Sequence, residues 1–574
     1  MVEDQITLTC DRSMGRLLFL YSFLAFGVAT QAICSASAAP AGFASAYLSG
    51  LVAEQRGEIG RASTYFAHAQ ETAPETPMLQ RRVMRLQLLE GQFDSAAKAA
   101  RLMAKSDDDN FPTTLIRLVD FLRDGNFKGA LNLVNRPGSN GLSPLVMVLG
   151  RAWSLAGEGK VDEAIKVLTD SAKENPDLQT LFLLHAAFLA EQASRLDIAR
   201  WLYEESLSAA EAKKQTISPR LIHAVSGFFD RRGMSTEAAE VRAKGFPSLD
   251  IMSPAQSIVT SPTEGFAEAL FNIAGSLYGD RQYIQALSYT RLSEVLRPND
   301  PSVRFTTAQI LEALGRYMDA VEAYELVPKV GSYGWKSRLR LAESLSDAGD
   351  SEGAIKAMRH LLDTEPDEPQ VALTLGNILR AHNYFPEAVK AYDEAVRRQA
   401  KLGKIDAWLH YARGVALDRS GRWPEAEKEF LESLKMLSEE PLILNYLGYS
   451  WIDRGENIER AYAMVARAVE LRPDDGFIRD SLGWAEFRTG KFQKAVITLE
   501  LAIEMQPIDP VINEHLGDAY WQVGRFREAR FQWRRALSFE PEDKQVSIIE
   551  TKLKCGFDGC LTPIDASNKS DNGN

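Results

Sequence analysis

Cysteine and histidine are scarce in this chain. Its 574 residues include 4 cysteines and 7 histidines. The histidines (His68, His185, His223, His360, His382, His410 and His515) are scattered, and no two stand at metal-ligand spacing on one helix. They read as satisfied or solvent-facing helix residues. Glu514-His515 begins like a zinc-protease signature, but Ala519 stands where the second histidine belongs. There is no Walker loop, no Gly-x-Gly-x-x-Gly and no Gly-x-Ser-x-Gly. No catalytic residue, metal or cofactor is therefore expected, and the chain reads as non-enzymatic. Positive charge is also short. Sixty-six Lys+Arg against 78 Asp+Glu give a net charge of −12, which leaves no basic stripe for phosphates, so nucleic acid is not an expected partner. The apolar run Leu17 to Ala29 falls short of the roughly 20 residues a membrane span needs.

That run follows Arg16 and precedes Ala36-Ser37-Ala38, the layout of a secretory signal over residues 1–38. Glu3, Asp4 and Asp11 ahead of it are atypical of a signal, and Met14 offers an alternative start with a cleaner positive end. An uncleaved signal anchor and a lipid on Cys34 are the other readings. They are the two routes by which membrane association is expected, although Ile33 stands where lipoproteins carry a small residue. After export only Cys555 and Cys560 remain, flanking the turn-forming Gly556-Phe557-Asp558-Gly559. A zinc site would need further ligands, and none lies nearby. A disulfide is favoured over two free thiols in an oxidising compartment.

What the chain does have is regular punctuation. Pro510 to Pro541 reads as two short amphipathic helices. Leu516, Gly517 and Tyr520 lie on the first, and Ala529, Trp533 and Ala536 on the second, with Gly524 between them. Gly517 and Ala529 are expected at the helix contact, where larger residues would overpack. Stepping back about 34 residues at a time gives Gly483, Gly448, Gly414, Gly376, Ala342, Ala308 and Ala274, with one slip near 399–404. The matching turn positions are Gly490, Gly455, Gly421, Asn383, Gly349, Gly315 and Arg281. The N-terminal half keeps the period with weaker residues: Gly50, Met84, Leu118, Ala152 and Ala186, with Ser226 marking a sixth unit.

This pattern resembles the tetratricopeptide repeat. The resemblance implies an all-α superhelical solenoid of about fourteen helical hairpins. Two arrays are expected, a degenerate one over 39–246 and a second over 264–541, separated by a linker or packed irregular segment at 247–263. A capping helix at 542–556 and a disordered tail at 557–574 complete the layout. A solenoid also reconciles this length with ordinary composition, since each unit packs only on its neighbours.

In the repeat pattern, the residues flanking the core positions of each first helix face an inner groove. Carried onto the last four repeats, those positions hold Trp408, Tyr411, Tyr449, Phe477, Trp484, Phe487 and Trp521. Aromatic residues there imply a protein or peptide partner. The same side chains could instead pack between repeats or under the 247–262 segment.

The run Leu444 to Ala502, with Asp480-Ser481-Leu482-Gly483-Trp484 inside it, further resembles bacterial envelope tetratricopeptide adaptors. Among these is the outer-membrane lipoprotein partner of a C-terminal processing protease. The resemblance implies a periplasmic or outer-membrane-associated scaffold that joins a protease to its clients. An adaptor for envelope biogenesis or polysaccharide export, and a peptide-binding chaperone, are the competing readings.

Overall fold

The computed structural model of the chain describes residues 42–557, apart from 105–110, 137–141, 214–216, 246–256 and positions 332, 366 and 404. The expected signal segment, Cys34, Cys560 and the tail beyond 557 lie outside the described residues. Among the described residues there are 29 α-helices and one short 3-10 turn at Pro176–Leu178, and no strand.

The helices pair as fourteen antiparallel hairpins and a final single helix. In the N-terminal half, α1 (Phe43–Gln55) pairs with α2 (Ile59–Thr72), α3 (Pro77–Leu89) with α4 (Phe93–Met103), and α5 (Phe111–Arg123) with α6 (Phe127–Val134). Next come α7 (Pro144–Gly157) with α8 (Val161–Glu174), α9 (Gln179–Gln192) with α10 (Leu196–Ala212), and α11 (Pro219–Arg231) with α12 (Ser235–Ala243). Three more pairs follow: α13 (Pro262–Gly279) with α14 (Tyr283–Leu296), α15 (Pro301–Ala313) with α16 (Tyr317–Glu325), and α17 (Gly334–Asp347) with α18 (Ser351–Thr364). The rest of the chain pairs α19 (Pro369–Ala381) with α20 (Phe385–Lys401), α21 (Ala407–Arg419) with α22 (Trp423–Met436), and α23 (Pro441–Arg454) with α24 (Ile458–Leu471). The last two pairs are α25 (Gly476–Arg488) with α26 (Phe492–Met505) and α27 (Pro510–Gln522) with α28 (Phe526–Ser538), before α29 (Asp543–Cys555).

Local chemistry explains these boundaries. Several first helices start with proline, whose missing N–H is unneeded in the first turn. Aspartates cap some of these and others: Asp509 accepts from the amides of Val511 and Ile512, and Asp475 from those of Phe477 and Ile478. The expected turn positions adopt left-handed backbone, as at Gly490 (φ 76°). Arg281 (φ 59°) and Asn383 (φ 64°) do so without being glycine, at some local cost. The fifth N-terminal turn, at Ser194 (φ 59°), went unread because serine there gives no signal.

Between paired helices the small residues lie at the contact. A Cβ on Gly517 would come 2.5 Å from Trp533 Cδ1 and 3.1 Å from the Ala529 carbonyl. On Gly448 it would meet Val465 Cγ2 at 2.7 Å and the Ala461 carbonyl at 3.0 Å. Where Leu118 replaces the small residue it is fully buried, and Gly150 of the next hairpin makes the room: a Cβ there would lie 2.9 Å from Leu118 Cδ2.

The described residues divide into two compact units, one ending at Glu365 and one made of the residues after it. This differs from the break expected at 247–263. The physical reason is that α13 and α14 do not start a separate array. α13 packs back on α7 and α9, and α14 on α3, α4 and α5. Phe266 and Leu270 share a core with Trp153, and Gly265 lies so flat on the Trp153 ring that a Cβ would overlap it. Leu287, Leu311 and Tyr324 share another core with Phe66, Leu79 and Val83. The described end of the expected linker is packed: Val259 is buried, and Arg297 donates to the Ile258 carbonyl at 2.9 Å.

A buried ion cluster ties α13 and the end of α14 to α11. Glu268 on α13 is fully buried and takes Arg220 of α11 at 2.6 Å and Arg297 at 2.7 Å. Burial alone would raise its pKa, but the two guanidiniums hold the carboxyl well below the usual range. A depressed carboxylate contributes stability above its unfolded pKa, and that stability is lost as pH falls through the folded value. Glu268→Gln would take away the carboxylate that both arginines contact, leaving Asp300 at 3.1 Å from Arg297. It is expected to cost about 3–5 kcal/mol, seen as a lower urea midpoint and a weaker acid dependence. An unchanged midpoint would show that the cluster does not hold the unit together.

Candidate protein-interaction surface

In the unit from Pro366 on, successive first helices pack directly on one another: α19 on α21, α23 on α25, and α25 on α27. They form its inner wall. Trp408 and Tyr411 are half-buried on α21, edge-to-face with ring centres 5.7 Å apart. Tyr411 also lies 6.0 Å from both Phe430 and Tyr446, whose hydroxyl donates to Asp418 at 3.1 Å. Tyr449 on α23 and Phe477 on α25 are half-buried as well.

Trp484 on α25 is sandwiched. It stacks on Phe487 at 4.9 Å and on His515 at 4.1 Å, with interplanar angles of 9° and 13°. Its indole N–H has no hydrogen-bond partner among the described residues. His515 Nδ1 sits 3.0 Å from both oxygens of Asp480. Burial pulls the imidazole pKa down, but Asp480, helped by Glu514 and Asp518, pulls it above the ordinary value. Asp518 accepts from Trp533 Nε1 at 2.9 Å and from Lys552 Nζ at 2.6 Å. Burial still pushes its carboxyl up to about 6.

Of the seven expected groove residues, one is buried and six are half-buried. Phe487 is buried and packs against Phe492 and Phe557 at 5.4 and 5.5 Å. Trp521 lies among Phe526, Trp533 and Gly556. Both lie beside residues 556–557, while Trp408, Tyr411, Tyr449 and Phe477 are half-buried and Trp484 is held between its neighbours.

The polar group of Asp480, Glu514, His515 and Asp518 was not read from the sequence. Asp480 and Glu514 occupy equivalent positions one repeat apart, which is the signal that could have found them. Cys555 is disulfide-bonded. Among the described residues no His/Cys/Asp/Glu group could hold a metal ion, and no helix is long and apolar enough to cross a membrane.

Residues 339–403 and 407–428 match two family models, each described as a tetratricopeptide repeat. The fold is thus an all-helical solenoid that carries tetratricopeptide repeats. Over 160 residues the chain is 26% identical to the TPR repeat-containing protein PA4667 of Pseudomonas aeruginosa, covering 28% of this chain and 26% of that one. Over 213 residues it is 22% identical to human protein O-mannosyl-transferase TMTC1, covering 36% of this chain and 22% of that one. The chain thus spans only about a quarter of the length of these curated relatives. It is also similar to the crystal structure of the Cut9–Hcn1 hetero-tetramer of the APC/C, at 14% identity and a TM-score of 0.38, over 89% of this chain and 95% of that one.

A raised histidine pKa contributes stability below its unfolded value, ~6.5, that is lost as pH rises through the folded value. Asp480→Asn removes the main source of that rise. The His515 pKa is expected to fall in this variant, measured by NMR titration of the labelled ring in the full chain. A His515 pKa that does not move would contradict the pairing.

Proposed function

We propose that the protein is a non-catalytic interaction scaffold of the bacterial periplasm or outer membrane, an adaptor that binds an envelope protease and its clients. The observation that carries the reading is the set of half-buried aromatic side chains, Trp408, Tyr411, Tyr449 and Phe477, on one inner wall. Stacked hairpins present extended binding surfaces of this kind, and aromatic residues are frequent energetic anchors of interfaces. The export and adaptor parts rest on Leu17 to Ala29 and on the resemblance of Leu444 to Ala502.

The mechanism involves no bond chemistry. Several repeats each make a modest contact, and holding two proteins on one scaffold turns their encounter into a local event at high effective concentration.

The test is a photo-crosslinker at Tyr449 of the exported full-length protein. The expected product is a discrete adduct with an envelope protease, reduced at least tenfold by Trp408→Ala, on the order of 1.4 kcal/mol or more. A smear of unfolded polypeptides would favour a chaperone, and retention inside the cell would contradict export.

A further inference from the structure

The inner wall is closed at its C-terminal end by the chain itself. Lys552 on α29 lies 2.6 Å from Asp518 and 2.8 Å from Glu514, two carboxylates one helical turn apart on α27. The lysine is largely buried there, its side chain 12% exposed. Cys555 ends the helix and is disulfide-bonded. Gly556 then turns with φ 86°, and it passes so close to Trp521 that a Cβ would overlap the indole. Phe557 lands edge-on against Phe487, with ring centres 5.5 Å apart at 72°, and the Lys552 ammonium sits 5.5 Å from the Phe557 ring centre.

Capping alone does not call for this arrangement. Ile549, fully buried, already covers the end of the last hairpin. Residues 552–557 add a cation to two carboxylates and an aromatic ring to an aromatic pair, at positions where the repeat pattern directs side chains toward a partner.

We propose that Lys552–Phe557 is a built-in ligand of the inner wall, and that a polypeptide entering between α25 and α27 displaces it by presenting the same chemistry: a lysine or arginine close to an aromatic residue. The displacement rests on the interaction-surface reading above, whereas the self-occupancy does not.

The experiment uses a fluorescent, oxidised peptide of residues 550–560 titrated into the full-length protein and its Phe557→Ala variant. The peptide is expected to bind the variant at least tenfold more tightly than the wild type, whose own segment competes. A peptide with Lys552→Glu is expected to lose that binding. Equal affinity for the two proteins, no binding to the variant, or undiminished binding of the charge-reversed peptide would overturn the proposal. Hydrogen exchange of Phe557→Ala supplies a readout with no added ligand: exchange is expected to rise at 484–488 and 518–522, and an unchanged pattern would show that Phe557 is not held. Because no outside partner is involved, loss of protease binding in the crosslinking test leaves the self-occupancy result untouched.

Discussion

The structure depends on one steric constraint: where the first helix of a hairpin carries a glycine at the repeat position, the second helix drives a side chain against it. Trp533 over Gly517 and Val465 over Gly448 are the clearest cases, with backbone carbonyls behind them that cannot move aside. Each contact sets the approach of one hairpin, and repetition of the contact sets the stacking of hairpins. The inner wall follows from it, because the residues flanking each small position fall on the same side of successive first helices.

The two units use their hairpins differently. In the unit up to Glu365, the chain returns through α13 and α14 onto its own N-terminal hairpins, and the Arg220–Glu268–Arg297 cluster ties α13 and the end of α14 to α11. Such a buried triad is geometrically demanding, and breaking it strands charge rather than merely removing a contact. In the unit from Pro366 on, the wall keeps half-buried aromatics on α21, α23 and α25, while residues 552–557 fill its far end. The site is therefore defined as much by what the chain covers as by what it leaves open.

Much of this was legible from residue order. The spacing of Gly376, Gly414, Gly448, Gly483 and Gly517 reports a contact inside each hairpin, and such local contacts survive in sequence as a period. Arg281 and Asn383 were placed by that period although their residue types would not have suggested left-handed backbone. Ser194 escaped, since neither its type nor a neighbouring glycine marked the turn. Long-range packing left no periodic trace. The return of the chain depends on pairings such as Thr263 of α13 with the Leu122 carbonyl and Arg316, ahead of α16, with Glu90, which are far apart in the chain. The register that set Phe487 and Trp521 among the flanking positions says nothing of what lies over them. The same limit hid the Asp480–His515 pair, whose members belong to different repeats.

The most direct test of the central constraint is Gly448→Ala, with Gly517→Ala beside it, in urea unfolding of the full chain followed by hydrogen exchange in 441–538. Helix propensity alone predicts a gain of roughly 1 kcal/mol for such a substitution inside a helix. The steric account predicts the opposite sign, a loss of about 1–3 kcal/mol with faster exchange in the affected hairpin. A raised midpoint with unchanged exchange would contradict it.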